Sequence, residues 1–122
     1  MASRTDPRSF LPLRPLELLV LSALTREPLH GYAIRGAILE QSDGAVAVEA
    51  GNLYRHIRRL LADRLIDDDT TRRAADDDER RRYFRLTPLG AEVLHAELKR
   101  IDAVARRVRA AQATPRPRRS ES

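Results

Sequence analysis

The sequence predicts a mainly α-helical domain that carries a small β-hairpin wing and ends in a long C-terminal helix. Three observations lead to this fold class. An amphipathic helix that begins near Gly51 runs directly into a strand. Two short strand-like segments, residues 64–67 and 83–86, flank a charged loop, as the arms of a β-hairpin do. Apolar residues recur at helical spacing over residues 88–111, which makes the last helix longer than a small core requires.

The N-terminal part predicts an arm followed by a buried helix. Residues 1–13 contain two prolines and no apolar periodicity, so we expect a flexible arm. A helix is predicted over Pro15–Thr25, since proline favours the first helical position and Glu17 is favourable near a helix N-terminus. Its apolar residues surround nearly the whole circumference, which requires burial on all sides. We therefore expect Leu16 and Leu19 to contact a second subunit.

A second helix and a very short strand are predicted next. Residues 27–31 contain proline and glycine and break the first helix. The second helix spans roughly Gly31–Gln41, and Gly44 ends this segment. Val46 and Val48 alternate with small residues, a pattern that predicts one very short strand.

The third helix divides into two faces. At about 100° per residue, one stripe is apolar; it consists of Leu53, Ile57, Leu60 and Leu61. The opposite side carries Arg55, Arg58 and Arg59, with Asn52 close to it. A helix with this division fits the major groove of DNA, where arginine reads guanine and asparagine reads adenine. The alternative is an ordinary amphipathic helix with a solvated outer face.

The last helix predicts subunit pairing. Thr87 is a suitable N-cap and Pro88 a suitable first residue, and the helix is expected to extend to about Ala111. Five of its residues repeat at 4-3-4-3 spacing, the a/d seam of a paired helix; they are Leu94, Leu98, Ile101, Ala105 and Val108. We expect residues 88–112 to form a dimerisation helix, and residues 113–122 a disordered basic tail. A helix packed on its own core is the alternative.

Composition narrows the class of protein. The net charge is +5, but residues 14–105 hold 15 basic and 16 acidic residues, so the basic surplus lies in the ends of the chain. Any specific DNA site must therefore come from how charges are placed within a nearly neutral domain. The chain has no cysteine and no apolar run long enough for a membrane span, and because its first residues lack an apolar core we expect no signal peptide. These features predict a cytoplasmic protein without membrane contact.

The order of these elements is that of a winged helix-turn-helix, assigned to residues 14–87. The chain resembles the PadR-like transcriptional regulators of bacteria in three motifs. They are Pro-Leu-His-Gly-Tyr-Ala-Ile at 28–34, Gly-Asn-Leu-Tyr at 51–54, and Arg-Arg-Arg-Tyr-Phe-Arg-Leu-Thr-Pro-Leu-Gly at 80–90. The resemblance implies a homodimeric repressor that binds a pseudo-palindromic operator in double-stranded DNA. It also implies release by a small aromatic or drug-like effector. A pocket for this effector at the dimer interface, lined by residues 16–24 and 93–101, is a hypothesis.

Further DNA contacts follow from these motifs. Tyr32 offers a hydroxyl to a phosphate, and Tyr54 lies at the edge of the apolar stripe, where it packs inward, reaches a phosphate, or both. Arg81 and Arg82 precede the last strand, where a DNA backbone or minor groove would lie. Two departures from the family stand out. Arg64 occupies the helix-to-strand turn where the family usually has glycine, and the wing carries seven acidic residues against six arginines.

Other functions find less support. The three histidines have no metal-ligand spacing, no phosphate-binding glycine loop is present, and we predict neither an enzyme nor a cofactor or metal requirement. The main alternative is a winged-helix module for protein contact or oligomerisation, without sequence-specific DNA binding. A repressor without any small-molecule effector is another.

Overall fold

The computed structural model describes residues 6–71 and 82–114. Four α-helices are present in this part of the chain: α1 (Pro15–Ala23), α2 (Gly31–Gln41), α3 (Ala50–Ala62) and α4 (Pro88–Ala113). They surround a small sheet of three strands, β1 (Leu29–His30), β2 (Ile66–Asp68) and β3 (Tyr83–Leu86). The predicted fold class, a mainly helical domain with a small β-hairpin, is therefore confirmed.

The sheet has the strand order β1-β3-β2, and both pairings are antiparallel. Ile66 lies opposite Leu86 in the β2–β3 hairpin, which is the predicted wing. The third strand was not predicted where it occurs, because Leu29 pairs with Phe84. Val46 and Val48 form no strand, so that prediction was wrong. The carbonyl oxygen of Val48 instead accepts a hydrogen bond of 2.9 Å from Nε of Arg35 on α2.

One apolar core joins α1, α2, α3, the sheet and the first turns of α4. The residues of this core are Val20, Leu21, Ala23, Leu24, Ile34, Ile38, Leu53, Ile57, Leu60, Leu65, Ile66, Phe84, Val93 and Leu94. The apolar stripe predicted for the third helix accounts for three of them, and Leu61 packs at the edge of the core. Burial of this stripe fixes which face of α3 points outward.

Residues 6–13 belong to the segment that the sequence predicted as a flexible arm, and in the structure they contact α4. Pro7–Phe10 forms a short 3-10 helix that packs against α4. Further along, the backbone N–H of Leu13 donates a hydrogen bond of 2.8 Å to the carboxylate of Glu97. A buried acceptor on α4 and apolar contacts of Phe10 and Leu11 therefore hold this segment in place.

None of the helices in the described part of the chain combines the length and the apolar character that crossing a membrane would require.

Candidate nucleic-acid interface

The outer face of α3 carries two exposed arginines. Leu53, Ile57 and Leu60 on the opposite face are buried, and Arg55 and Arg58 are exposed. Within residues 6–71 and 82–114, no hydrogen bond or ion pair engages either guanidinium. Their Cα positions are three residues apart, so the two groups project from successive turns of the helix. Together with Asn52, which is half-buried in the first turn, they form the part of α3 best suited to contact DNA.

Arg59, which the sequence placed with these arginines, points toward α1 instead. Its Nε lies 3.6 Å from Oε2 of Glu17, a carboxylate that is only 5% exposed. Nδ1 of His56 lies 3.0 Å from the same oxygen. Both residues are on the flank of α3 that faces α1. The structure thus separates Arg59 from Arg55 and Arg58.

The other flank of α3 meets the start of α2. Tyr54 lies over Gly31, and a Cβ at that position would collide with the tyrosine hydroxyl. The imidazole of His30 caps α2 by accepting a hydrogen bond of 3.2 Å from the N–H of Ala33. Tyr32 is 78% exposed, and its ring stacks with that of His30 at a centroid distance of 6.5 Å. Both predicted tyrosines therefore lie at the α2–α3 junction, with Tyr32 open to a ligand.

The described part of the wing uses its arginines internally. Nε and Nη2 of Arg82 donate hydrogen bonds of 3.0 and 2.8 Å to the two carboxylate oxygens of Asp68. This bidentate pair raises the pKa of Arg82 above its ordinary value. The guanidinium also lies 5.2 Å from the ring centroid of Phe84. Arg85 pairs with Asp67 at 3.5 Å. Arg81 lies outside the described residues.

A strained turn joins α3 to the wing. Arg64, at the turn where the family usually has glycine, has a φ of 62°, in the left-handed region that favours glycine. The N–H of Leu65 donates to the carbonyl of Leu60 at 3.0 Å, and the N–H of Arg64 donates to that of Leu61 at 3.1 Å. These two bonds make the Schellman motif that ends many helices.

The predicted apolar seam of α4 lies partly in the core and partly on the surface. Leu94 belongs to the core of the chain itself. Leu98 and Val108 are about half exposed, at 47% and 50%, and Ile101 and Ala105 are partly buried. Leu16 and Leu19 on α1 also pack at the edge of the core. A partly exposed apolar strip therefore begins at Leu98.

Glu97, buried on α4, was missed by the sequence reasoning. It accepts hydrogen bonds from Nε of Arg100 at 2.5 Å and from the N–H of Leu13. The bond from Arg100 holds the pKa of Glu97 below its ordinary value against the opposing effect of burial, and the Leu13 bond acts in the same direction as Arg100. The Glu-x-x-Arg spacing signals the first partner, but no sequence pattern signals the second, which lies 84 residues away.

An open groove of about 900 Å³ lies between the 3-10 helix and α4. Its lining includes Leu11, His95, Lys99 and Ala103. The effector pocket suggested by the sequence, between residues 16–24 and 93–101, overlaps this groove only on α4.

Comparison with known proteins agrees with this geometry. The profile of the transcriptional regulator PadR-like family matches residues 20–96. No match was found among curated proteins. Among solved structures, a PadR family transcriptional regulator from Eggerthella lenta is 28% identical, with a TM-score of 0.61, and the match covers 89% of this chain and 87% of that one.

Two further structures share the fold. A transcriptional regulator from Clostridium thermocellum is 21% identical, with a TM-score of 0.65, over 78% of this chain and 87% of that one. Bacillus subtilis PadR in complex with operator DNA is 24% identical, with a TM-score of 0.59, over 71% of this chain and 48% of that one. The family profile spans the helices, the wing and the first turns of α4, and the protein therefore belongs to the PadR-like family of transcriptional regulators.

Proposed function

We propose that the protein is a dimeric repressor that binds a pseudo-palindromic operator and inserts α3 into the major groove. The observation that carries this proposal is the pair of exposed guanidinium groups, Arg55 and Arg58, on the face of α3 opposite its buried residues; neither group has a partner within residues 6–71 and 82–114. Arginine in the major groove donates two hydrogen bonds to guanine, which makes it the most frequent base-reading residue. The solved complex of a relative with operator DNA supports the same use of this fold.

In this proposal, groups at the α2–α3 junction contact the DNA phosphates. The N-terminus of a helix presents unpaired backbone N–H groups that favour an anion. Tyr32 is exposed beside the N-terminus of α2, and Tyr54 packs against that turn from α3. We assign the wing a smaller part, since Arg82 and Arg85 are already neutralised by Asp68 and Asp67.

The apolar strip of α4 supports the homodimer. The helix has 26 residues, which corresponds to a length of about 39 Å. Leu98, Val104 and Val108 are each close to half exposed, and apolar residues at helical spacing on a long helix suit pairing with a second copy. A two-fold axis would place the two α3 helices about one turn of DNA apart, which matches a pseudo-palindromic site.

The test is binding to the DNA upstream of the protein's own gene, compared with scrambled DNA of equal length. We expect the wild type to prefer the upstream DNA and Arg55→Ala/Arg58→Ala to lose that preference, because base contacts are worth about 1–3 kcal/mol each. The control is Arg26→Ala/Arg107→Ala, which removes two exposed arginines away from α3 and should keep the preference. Equal weak binding to both DNAs by a dimer that neither pair of mutations affects would favour the protein-contact module instead.

We also propose that a small aromatic or drug-like effector releases the DNA. The groove between the 3-10 helix and α4 supports this, since its volume of about 900 Å³ falls within the range of ligand pockets. A panel of planar aromatic compounds should contain one that releases bound DNA. Ala103→Trp, which fills the groove, should then abolish the response and leave DNA binding unchanged. A response that survives this substitution would move the effector site elsewhere.

A further inference from the structure

A buried carboxylate lies behind the DNA-facing helix. Glu17 is in the first turn of α1, and only 5% of its surface is exposed. Three groups lie near its Oε2 atom, two from α3 and one from the residue before α1: Nδ1 of His56 at 3.0 Å, Nε of Arg59 at 3.6 Å, and Nε of Arg14 at 4.0 Å. A buried carboxylate without partners would be costly, so this arrangement fixes α3 against α1.

The three contacts differ in strength. His56 is within hydrogen-bond distance and its side chain is only 19% exposed. Arg59 is beyond hydrogen-bond distance, and 52% of its side chain is exposed. A half-exposed ion pair of this kind is worth little and is readily exchanged. Glu17 therefore keeps a close partner when Arg59 leaves.

We propose that Glu17 competes with DNA phosphates for Arg59 and thereby limits the sequence-independent part of DNA affinity. Arg59 follows Arg58 directly along α3, but its guanidinium lies toward α1, 3.6 Å from the carboxylate of Glu17. Each arginine that reaches a phosphate adds binding strength without regard to sequence. Glu17 is a positioning residue in this scheme, because it contacts Arg59 and not DNA. The inference rests on the proposed DNA-binding function. It gives Arg59 the role of a phosphate contact that Glu17 restrains.

The test uses a random-sequence duplex of roughly 30 base pairs, about three helical turns. Binding is measured at salt concentrations between roughly 50 and 200 mM, and the slope of log affinity against log salt concentration counts the phosphate contacts. Glu17→Gln keeps the size of the side chain and removes its charge. We expect it to bind roughly two- to five-fold more tightly, the range for one exposed ion pair. Its slope should steepen by about 0.9 for each protomer on the DNA.

Arg59 must account for that gain. In the wild type, Arg59→Ala should leave the slope unchanged, and in the Glu17→Gln background it should remove the whole increase. Arg58→Ala is the matched control, and any change that it makes to the slope should be the same in both backgrounds. Thermal melting of every variant separates this effect from a loss of stability, which would not steepen the slope.

Each outcome decides between readings. A gain in Glu17→Gln that survives removal of Arg59 overturns the proposal, since it would reflect only the lost negative charge. An unchanged slope together with a lower melting temperature overturns it in favour of a purely structural role. The proposal is also overturned if Arg59→Ala flattens the slope in the wild-type background, because Arg59 would then already contact a phosphate. A wild type that binds no DNA at all would instead remove the proposed function itself.

Discussion

The hydroxyl of Thr87 donates a hydrogen bond of 2.7 Å to the backbone carbonyl oxygen of Arg64. The same hydroxyl oxygen accepts the N–H of Gly90 at 2.9 Å and so caps α4. The backbone N–H of Thr87 donates in turn to the carbonyl of Leu65 at 3.1 Å. A Cβ on Gly90 would collide with that carbonyl, so only glycine permits so close an approach. One residue thus caps the last helix and fastens it to the turn that ends α3.

Replacing this threonine should loosen the junction. Thr87→Val keeps the shape of the side chain but loses both hydroxyl bonds, and we expect the free energy of unfolding to fall by about 1–2 kcal/mol. Urea denaturation measures the change. Thr87→Ser retains the hydroxyl and is the control. If the valine and serine variants are equally stable, the two hydrogen bonds do not stabilise the fold.

Glycine should suit position 64 better than arginine. A side chain in the left-handed region costs about 1–2 kcal/mol, which glycine avoids. After its greater loss of backbone entropy, Arg64→Gly should raise the free energy of unfolding by about 0.5–1 kcal/mol. Arg64→Ala removes the same charge but keeps the Cβ, so it should bring no such gain. Equal gains from both variants would attribute the effect to charge rather than to backbone strain.

The contact between Gly31 and Tyr54 should tolerate no added carbon. Gly31→Ala places a methyl group on the tyrosine hydroxyl, and overpacking of this kind costs about 1–3 kcal/mol. In a Tyr54→Ala background the same change should cost almost nothing, because the whole ring is gone. A double-mutant cycle in thermal unfolding gives the coupling between the two positions. Additive costs would mean that the two residues do not compete for space.

Glu97 should make part of the stability depend on pH. Its pKa is lowered from an ordinary value of 4.5, mainly by the hydrogen bond from Arg100. A group with a depressed folded-state pKa contributes its full stability above its unfolded pKa, and that contribution is lost as the pH falls through the folded pKa. The free energy of unfolding is measured between about pH 3 and 7. At the acidic end it should fall more steeply with decreasing pH for the wild type than for Glu97→Gln.

Glu92→Gln provides the control for that series, since Glu92 is exposed on the same helix. It should keep the acidic slope of the wild type. An acidic slope that Glu97→Gln retains would show that other carboxylates carry the dependence. In Glu97→Gln, loss of the bond to the N–H of Leu13 should also release residues 6–13 from α4. Faster amide hydrogen exchange at Leu13 would measure this release.

Local sequence signals predicted most of the fold. The apolar stripe of α3 and the polarity of the loop between the wing strands depend only on neighbouring residues, and the cap of α4 at Thr87 requires one residue type before a proline. Strand β1 was missed because two residues have no period of their own. Leu29 and His30 become a strand only by pairing with β3, more than fifty residues later. Val46 and Val48 have the alternation of a strand but no sheet edge to join.

The candidate site was predicted in its outline and not in its pairings. The periodicity of α3 identified Arg55 and Arg58 as outward-facing, and the structure agrees. It could not separate Arg59 from them, since the carboxylate that draws it away is on α1. Likewise, the sequence shows that the acidic residues of the wing nearly equal its arginines in number. The pairing of Arg82 with Asp68 is visible only in the folded hairpin.

The bond between Thr87 and Arg64 fastens the N-terminal end of α4 to the turn that ends α3. In the proposed mode of DNA binding, a tilt of α4 would therefore move α3. In the proposed dimer, the two α4 helices would pair along their length. A tilt of only about 5° over a helix of about 39 Å shifts one end by roughly 3 Å. That shift is close to the rise of one base pair, about 3.4 Å. A ligand that bound between the two α4 helices and tilted them slightly would shift both α3 helices relative to the operator without contacting either of them.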